Sequence, residues 1–233
     1  MDIAFFDIRH SSSLWNDNGI FLKLKCLLYS YLFIFVLIGA CFLLIITPLD
    51  YFIVHFLNQK SVISEINNRS VYSSFGYLFV GLVGPLFEEL MFRLGLKPKP
   101  INVFINIFVL SFFIFGGRII TEITFFSKYY QQILLSIVTS IIIFWVFKNK
   151  IIHFYKAYNT SLITFSIITF GLVHISNIKN LNWSIAIFYP FFVIPQMIMG
   201  YFISNLRLKY GFLWGVLLHI LINSIAMFFS QFR

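Results

Sequence analysis

Seven stretches of the chain run without Asp, Glu, Lys or Arg for long enough to cross, or nearly cross, a bilayer: 26–49, 71–87, 100–117, 129–147, 157–178, 180–206 and 210–232. A membrane-spanning helix needs about 20 mostly apolar residues, with about 17 as the working minimum. The second stretch is short only because Glu88, Glu89 and Arg93 interrupt it. Met91, Phe92, Leu94 and Leu96 carry the apolar pattern onward, so the pattern predicts a helix over 72–96. The longest connection, 50–70, is rich in Asn, Ser and Gln and reads as a polar surface loop. Residues 1–22 form a polar N-terminal segment, and the apolar run behind it is too long for a cleaved signal, so a retained anchor is expected. No repeat and no soluble domain interrupts the series. The expected architecture is all-α: a polytopic transmembrane helical bundle of about seven spans, one integral membrane domain over 1–233.

Composition strengthens this reading. The chain is 60% hydrophobic and 11% charged, with 32 Phe among its 233 residues, whereas soluble domains carry about 25% charged residues. So much apolar side chain cannot be hidden inside a water-soluble fold of this length, and lipid is the expected solvent and partner. The net charge of +9 does not point to nucleic acid. The cations come in ones, twos and threes between apolar runs, where anionic headgroups can meet them, and no basic face with interleaved stacking aromatics is present.

Seven spans place the N-terminus and the connections near 98, 152 and 208 on one side. That side holds Arg9, Lys23, Lys25, Lys97, Lys99, Lys148, Lys150, Lys156, Arg207 and Lys209. The other holds Lys60, Arg69, Arg118, Lys128, Lys179 and Arg233. Ten against six puts the N-terminus in the cytoplasm of a multi-pass cell-membrane protein. Cys26 and Cys41 share the first apolar run, too far apart on one helix to bridge and without metal-ligand spacing. They read as packing residues.

Against such a background the informative residues are ionisable groups inside apolar runs, since each costs about 2.5–3.5 kcal/mol or more at mid-bilayer. Three places stand out. In Gly84-Pro85-Leu86-Phe87-Glu88-Glu89-Leu90-Met91-Phe92-Arg93, Glu89 and Arg93 lie about 40° apart around a helix and can pair, whereas Glu88 and Arg93 lie about 140° apart. Glu88 is therefore expected to point elsewhere, and an unpaired carboxylate in a low-dielectric site suits a general base. Gly84-Pro85 weakens the backbone ladder just upstream and can admit water. In Phe170-Gly171-Leu172-Val173-His174, one histidine sits late in the fifth run, and Gly171 allows a close neighbour. In the last run His219 and Asn223, four apart, share a face, and Gly211 and Gly215 have the small-xxx-small spacing of a packing stripe.

Taken together, Glu-Glu-x-x-x-Arg, Phe-x-x-x-His and His-x-x-x-Asn, in this order and each in an apolar helix, resemble the motif set of the CAAX-protease and bacteriocin-processing (CPBP, Abi) family of intramembrane proteases. The resemblance covers 71–96 and 157–228. It implies that Glu88 and His174 activate a water, that His219 and Asn223 stabilise the oxyanion, and that Glu89 and Arg93 form a supporting ion pair. The chain departs from the family in the 80 residues between Arg93 and His174, which hold two extra apolar runs. Two is an even number, so the histidine helix still runs opposite to the glutamate helix. The activity so implied is hydrolysis of a peptide bond in a peptide or protein substrate, either of CAAX type or in peptide processing and immunity.

Rival chemistries lack their parts. There is no His-Glu-x-x-His helix and no Gly-x-Ser-x-Gly elbow, and no Asp falls inside an expected span. Glu88, His174 and His219 do make up a His₂Glu zinc set, but the carboxamide of Asn223 beside His219 suits an oxyanion donor. The expectation is therefore a site without metal or other cofactor. The alternative function is non-enzymatic: a transporter or bacteriocin-immunity protein using the buried Glu, His and Arg as a relay or binding pocket.

Overall fold

A computed structural model of the chain describes residues 19–67, 74–116 and 125–230. The polar segment up to residue 18, the start of the second apolar stretch at 71–73, Gly117, and Arg9, Arg69, Arg118 and Arg233 lie outside them. Every regular element among the described residues is helical. Helix α1 is Ile20–His55, α2 is Val62–Asn67, α3 is 74–92, α4 is Pro100–Gly116, α5 is Phe125–Ala157, α6 is Asn159–Val173, α7 is Ile194–Tyr210 and α8 is Phe212–Ser230. Among the described residues, four helical stretches are long and apolar enough to cross a membrane: Ile20–His55, Tyr130–Ala157, Asn159–Asn177 and Trp183–Tyr210. Side chains such as Leu44 on α1 and Trp145 on α5, 76% and 87% exposed, mark surfaces that want hydrocarbon rather than water.

The chain divides into two compact units, each discontinuous in sequence. The first unit takes the described residues up to Asn67 together with Phe165–Tyr210. The second takes those of Ser74–Thr164 and those from Gly211 onward. In the first, Cys41, Ile46, Ile53, Val62, Ile178, Ile185, Tyr189 and Phe192 form a buried apolar cluster, and α1 packs along α7. Gly171 meets Met197 so closely that a Cβ there would fall on Met197 Cγ. In the second, α4 packs against α5 as a helical hairpin, and α3 packs against α4 and α8.

Two prolines shape the long helices by one mechanism. Residues Phe42–Ile46 and Phe79–Val83 are π-helical turns, and each is followed by an X-Pro step, Thr47-Pro48 and Gly84-Pro85. The Thr47 N–H bonds Phe42 O, and the Gly84 N–H bonds Phe79 O, five residues back. Proline has no N–H. In this wider winding the donor that Leu43 O and Val80 O would take is the nitrogen of Pro48 or Pro85, so each turn withdraws one donor from the ladder.

Several expected boundaries move. The helix expected over 72–96 ends at Phe92. Arg93 leaves helical geometry (φ −123°, ψ −17°), and Leu94–Leu96 forms a 3₁₀ turn. The cause is tertiary: Asn106 Nδ2 donates to the carbonyls of Leu90 and Met91 at 2.9 and 2.6 Å, and its Oδ1 accepts from Tyr155 OH at 3.1 Å. A side chain thus supplies what the next helical turn would have supplied. Gly95 completes the stop, since a Cβ there would lie 2.7 Å from Tyr155 Cε1. The connections expected near 152 and 208 are helical, because α5 continues to Ala157 and α7 to Tyr210. Near 152 the cations Lys148, Lys150 and Lys156 are exposed, as long basic side chains at a span end are; near 208, Arg207 and Lys209 are instead buried, 5% and 6% exposed. Gly211 is not part of a packing stripe. With φ +108° it is the left-handed residue that ends α7.

The described part of the stretch expected as a polar loop, 50–67, is largely helical. α1 persists to His55, and Asp50, counted as lying beyond the first span, is inside it. Its carboxylate is buried because it caps the start of α2: Oδ2 accepts from Ser61 Oγ at 2.7 Å, and Oδ1 from the N–H groups of Val62 and Ile63 at 2.7 and 3.2 Å. This is an N-cap supplied from 11 residues upstream. Cys26 and Cys41 are free thiols, both buried, and Cys26 Sγ accepts from Tyr210 OH at 3.1 Å.

Candidate functional site

The buried charge of the second unit is concentrated where α3 meets α8. Glu89 and Arg93 are one helical turn apart, and Arg93 Nη1 lies 2.6 Å from Glu89 Oε1 with both side chains sealed from solvent. The same Glu89 oxygen is 2.9 Å from His219 Nδ1. A carboxylate held by an arginine can only accept, so the Nδ1 proton belongs to His219 and is donated to Glu89. The other ring nitrogen, Nε2, lies 3.6 Å from Glu88 Oε2.

Glu88 is thus directed not at Arg93 but at His219. The angular argument considered only Arg93. The imidazole of His219 has nitrogens on two edges, and from α8 it reaches the carboxylates of two consecutive residues on α3. The result is one line of polar groups, Arg93–Glu89–His219–Glu88. Its inner three members are at most 1% exposed, and its last member has a side chain 33% exposed. Glu89 Oε2 is buried and has no hydrogen-bond partner among the described residues. Chemically, the arrangement holds a carboxylate at an accessible edge, next to an imidazole whose ring orientation is set from behind by a second carboxylate. Such an array can abstract and return a proton.

Asn223 sits one turn beyond His219 on α8, and its Nδ2 donates to Val80 O at 3.1 Å. Val80 lies in the π-turn upstream of Pro85, and its carbonyl is the one whose i+5 donor proline removes. Asn223 therefore fills a vacancy created by Gly84-Pro85, and this uses one of its two amide hydrogens. If so, Asn223→Ala should destabilise the protein by about 1–3 kcal/mol through an orphaned carbonyl. In a Pro85→Ala background, where residue 85 regains its N–H, the same change should cost clearly less. Thermal unfolding of the four proteins of this cycle checks the coupling; additive losses would show that Asn223 does not serve the proline break.

His174 belongs to the first unit, not to this cluster's unit. It opens the 3₁₀ turn His174–Asn177 that ends α6. Its Nδ1 is 2.7 Å from Phe170 O, and its ring stands edge-on to Phe170 with centroids 4.7 Å apart. A carbonyl only accepts, so Nδ1 carries the proton and the lone pair is directed to Nε2. The residues that sequence reasoning singled out thus fall into two groups: Glu88, Glu89, Arg93, His219 and Asn223 along α3 and α8, and His174 with Phe170 and Gly171 at the end of α6. Reasoning from sequence missed Asn106 and Tyr155, which fix the end of α3 and hence the turn carrying both glutamates. The signal available was an asparagine inside an apolar run of a membrane protein, which needs a partner as much as a histidine does.

Among the described residues no group of three or more His, Cys, Asp or Glu is placed to hold a metal ion. Of the residues offered as a zinc set, His219 commits its Nδ1 to Glu89 and presents Nε2 toward Glu88. No protein-family model, no curated protein and no solved structure matches this chain.

Proposed function

We propose that this chain is an integral membrane protein of about seven spans, with its N-terminus in the cytoplasm, that hydrolyses peptide bonds with a water activated by Glu88. The observation that carries the reading is the line Arg93–Glu89–His219–Glu88, which ends in an accessible carboxylate. In this mechanism Glu88 takes the proton of the attacking water and returns it to the leaving amine. Glu89, anchored by Arg93, orients His219, whose Nε2 edge faces the reacting centre. His174 holds the water, a role carried by the resemblance alone. Asn223 offers its second amide hydrogen to the oxyanion. The substrate is a peptide or protein, of CAAX type or one processed for maturation or immunity, and no metal is needed.

One observation favours a second reading. Asn223 already serves Val80, so its presence does not require an oxyanion. A non-enzymatic relay or binding pocket, in a transporter or immunity protein, would use the same buried Glu, His and Arg. The purified protein in liposomes, offered prenylated and unprenylated quenched-fluorescent peptides, separates the two. Cleavage is expected, and it should survive exhaustive chelation with less than stoichiometric zinc by elemental analysis. Stoichiometric zinc whose removal abolishes cleavage, and whose return restores it, would overturn the metal-free mechanism. Absence of cleavage across the whole peptide set would favour the relay.

A further inference from the structure

The first unit contains a second polar feature that the proposed hydrolysis does not use. A cavity of about 380 Å³ is lined by Gln59, Lys60, Glu65, Asn180, Trp183 and Tyr189, among others. Its polar walls are tied together. Asn182 Nδ2 donates to Gln59 Oε1 at 2.5 Å, and Tyr189 OH accepts from Asn182 N–H and donates to Asn182 O at 2.5 and 3.1 Å. The walls are therefore preformed rather than collapsed.

Glu65 is out of balance in this setting. It is 8% exposed, and its carboxylate accepts from Asn180 Nδ2 at 2.7 Å. No cation pairs with it among the described residues, although Lys60 lines the same cavity. Among the described residues, a carboxylate so buried has one neutral donor and not the counter-charge that buried charges require. A ligand ammonium would supply it, with N–H groups for the carboxylate. Lys60 would at the same time accept an anionic group on that ligand.

Location identifies what carries both charges. The candidate span Ile20–His55 ends just before Gln59, and the span Trp183–Tyr210 begins at a residue lining the cavity. Trp183 is 86% exposed, as an aromatic anchor at a headgroup boundary is. At that level the abundant molecule with an ammonium beside an anion is a zwitterionic phospholipid. A primary ammonium can donate to Glu65, whereas a quaternary one cannot. We propose that this cavity holds the phosphoethanolamine headgroup of a membrane phospholipid, its ammonium on Glu65 and its phosphate at Lys60.

Calorimetry on the full chain in detergent tests this with dihexanoyl phosphatidylethanolamine, phosphatidylcholine and phosphatidylglycerol, and with water-soluble glycerophosphoethanolamine and ethanolamine. The ethanolamine lipid should bind about tenfold or more tightly than the other two, the scale of one charge-assisted hydrogen bond. Glycerophosphoethanolamine should compete with it, and free ethanolamine should bind more weakly than glycerophosphoethanolamine. Glu65→Gln should remove the preference, and Lys60→Ala should weaken the ethanolamine lipid and glycerophosphoethanolamine more than free ethanolamine. Equal binding of the three lipids would overturn the proposal. So would failure of the soluble headgroup to compete, or an unchanged preference in Glu65→Gln. Ethanolamine binding as tightly as glycerophosphoethanolamine would overturn the assignment of Lys60. The comparisons on the unaltered chain decide the matter even if Glu65→Gln fails to fold.

Discussion

Glu89→Gln is expected to destabilise the protein by about 3–5 kcal/mol, the usual cost of leaving one partner of a buried ion pair alone. A single oxygen of Glu89 serves two donors, Arg93 Nη1 at 2.6 Å and His219 Nδ1 at 2.9 Å. A glutamine offers a neutral oxygen in that place, and Arg93, 0% exposed, loses the carboxylate that it bonds directly. Glu88→Gln should be far milder, because Glu88 lies at the accessible end of the line and its contact with His219 is long, 3.6 Å. A second arm separates charge balance from shape. Arg93→Met alone should also be severe, while Glu89→Leu with Arg93→Met should recover only part of the loss, since an apolar pair replaces the buried ion pair at little cost but His219 Nδ1 loses the carboxylate it donates to. Unfolding by heat or by denaturing detergent measures all four. If Glu89→Gln stays within about 0.5 kcal/mol of the unaltered protein, the range of an ordinary surface change, the pairing does not hold the helices. If Glu88→Gln is the weaker protein, the two glutamates have exchanged roles.

What could be read from sequence was whatever depends on one helix at a time. The Glu89–Arg93 contact follows from four-residue spacing and needs no knowledge of the neighbours. The apolar runs could be seen for the same reason, since hydrocarbon length and side-chain polarity are local properties. Boundaries were less legible because they are set from elsewhere in the chain. α3 stops at Phe92 because Asn106 and Tyr155, from α4 and α5, take over its carbonyl ends. α5 continues past Lys148 because a span-end lysine costs little. Asp50 is buried because its carboxylate caps residues 61–63. The causes at Phe92 and at Asp50 lie outside the affected segment.

The site shows the same division. Two carboxylates and a histidine could be picked out as costly groups needing partners, but not the order in which they join. Adjacent residues on a helix differ by about 100°, which placed Glu88 on a different face. It is the width of an imidazole, brought in from α8, that spans this angle. The prolines are the other case. Pro48 and Pro85 could be read as weak points in a helix, but not as π-turns. The response of the backbone depended on a donor being available, and for Val80 that donor is Asn223. A polar residue in an apolar helix thus had two claims on it, one from the backbone and one from chemistry, and spacing alone cannot rank them.

Glu88→Gln is expected to lower peptide turnover by about 10²–10⁴-fold, the contribution of a positioned general base, while leaving the unfolding transition within about 0.5 kcal/mol of the native protein. The separation is the point. Glu88 is the one member of the line with appreciable exposure, a side chain 33% accessible. Glutamine keeps its size and its ability to face His219 but cannot take up a proton. Glu88→Asp keeps the charge and withdraws it by one methylene, so it should retain measurable activity, limited by misplacement rather than by chemistry. A fall in kcat with little change in KM would place the loss in the transition state. Single-turnover cleavage of a peptide identified with the unaltered protein, run beside the unfolding measurement, reads both quantities. Full activity in Glu88→Gln would remove Glu88 as the base whatever the fate of the fold. Equal loss of activity in Glu88→Gln and Glu88→Asp, with both proteins folded, would mean that the carboxylate's position matters as much as its charge.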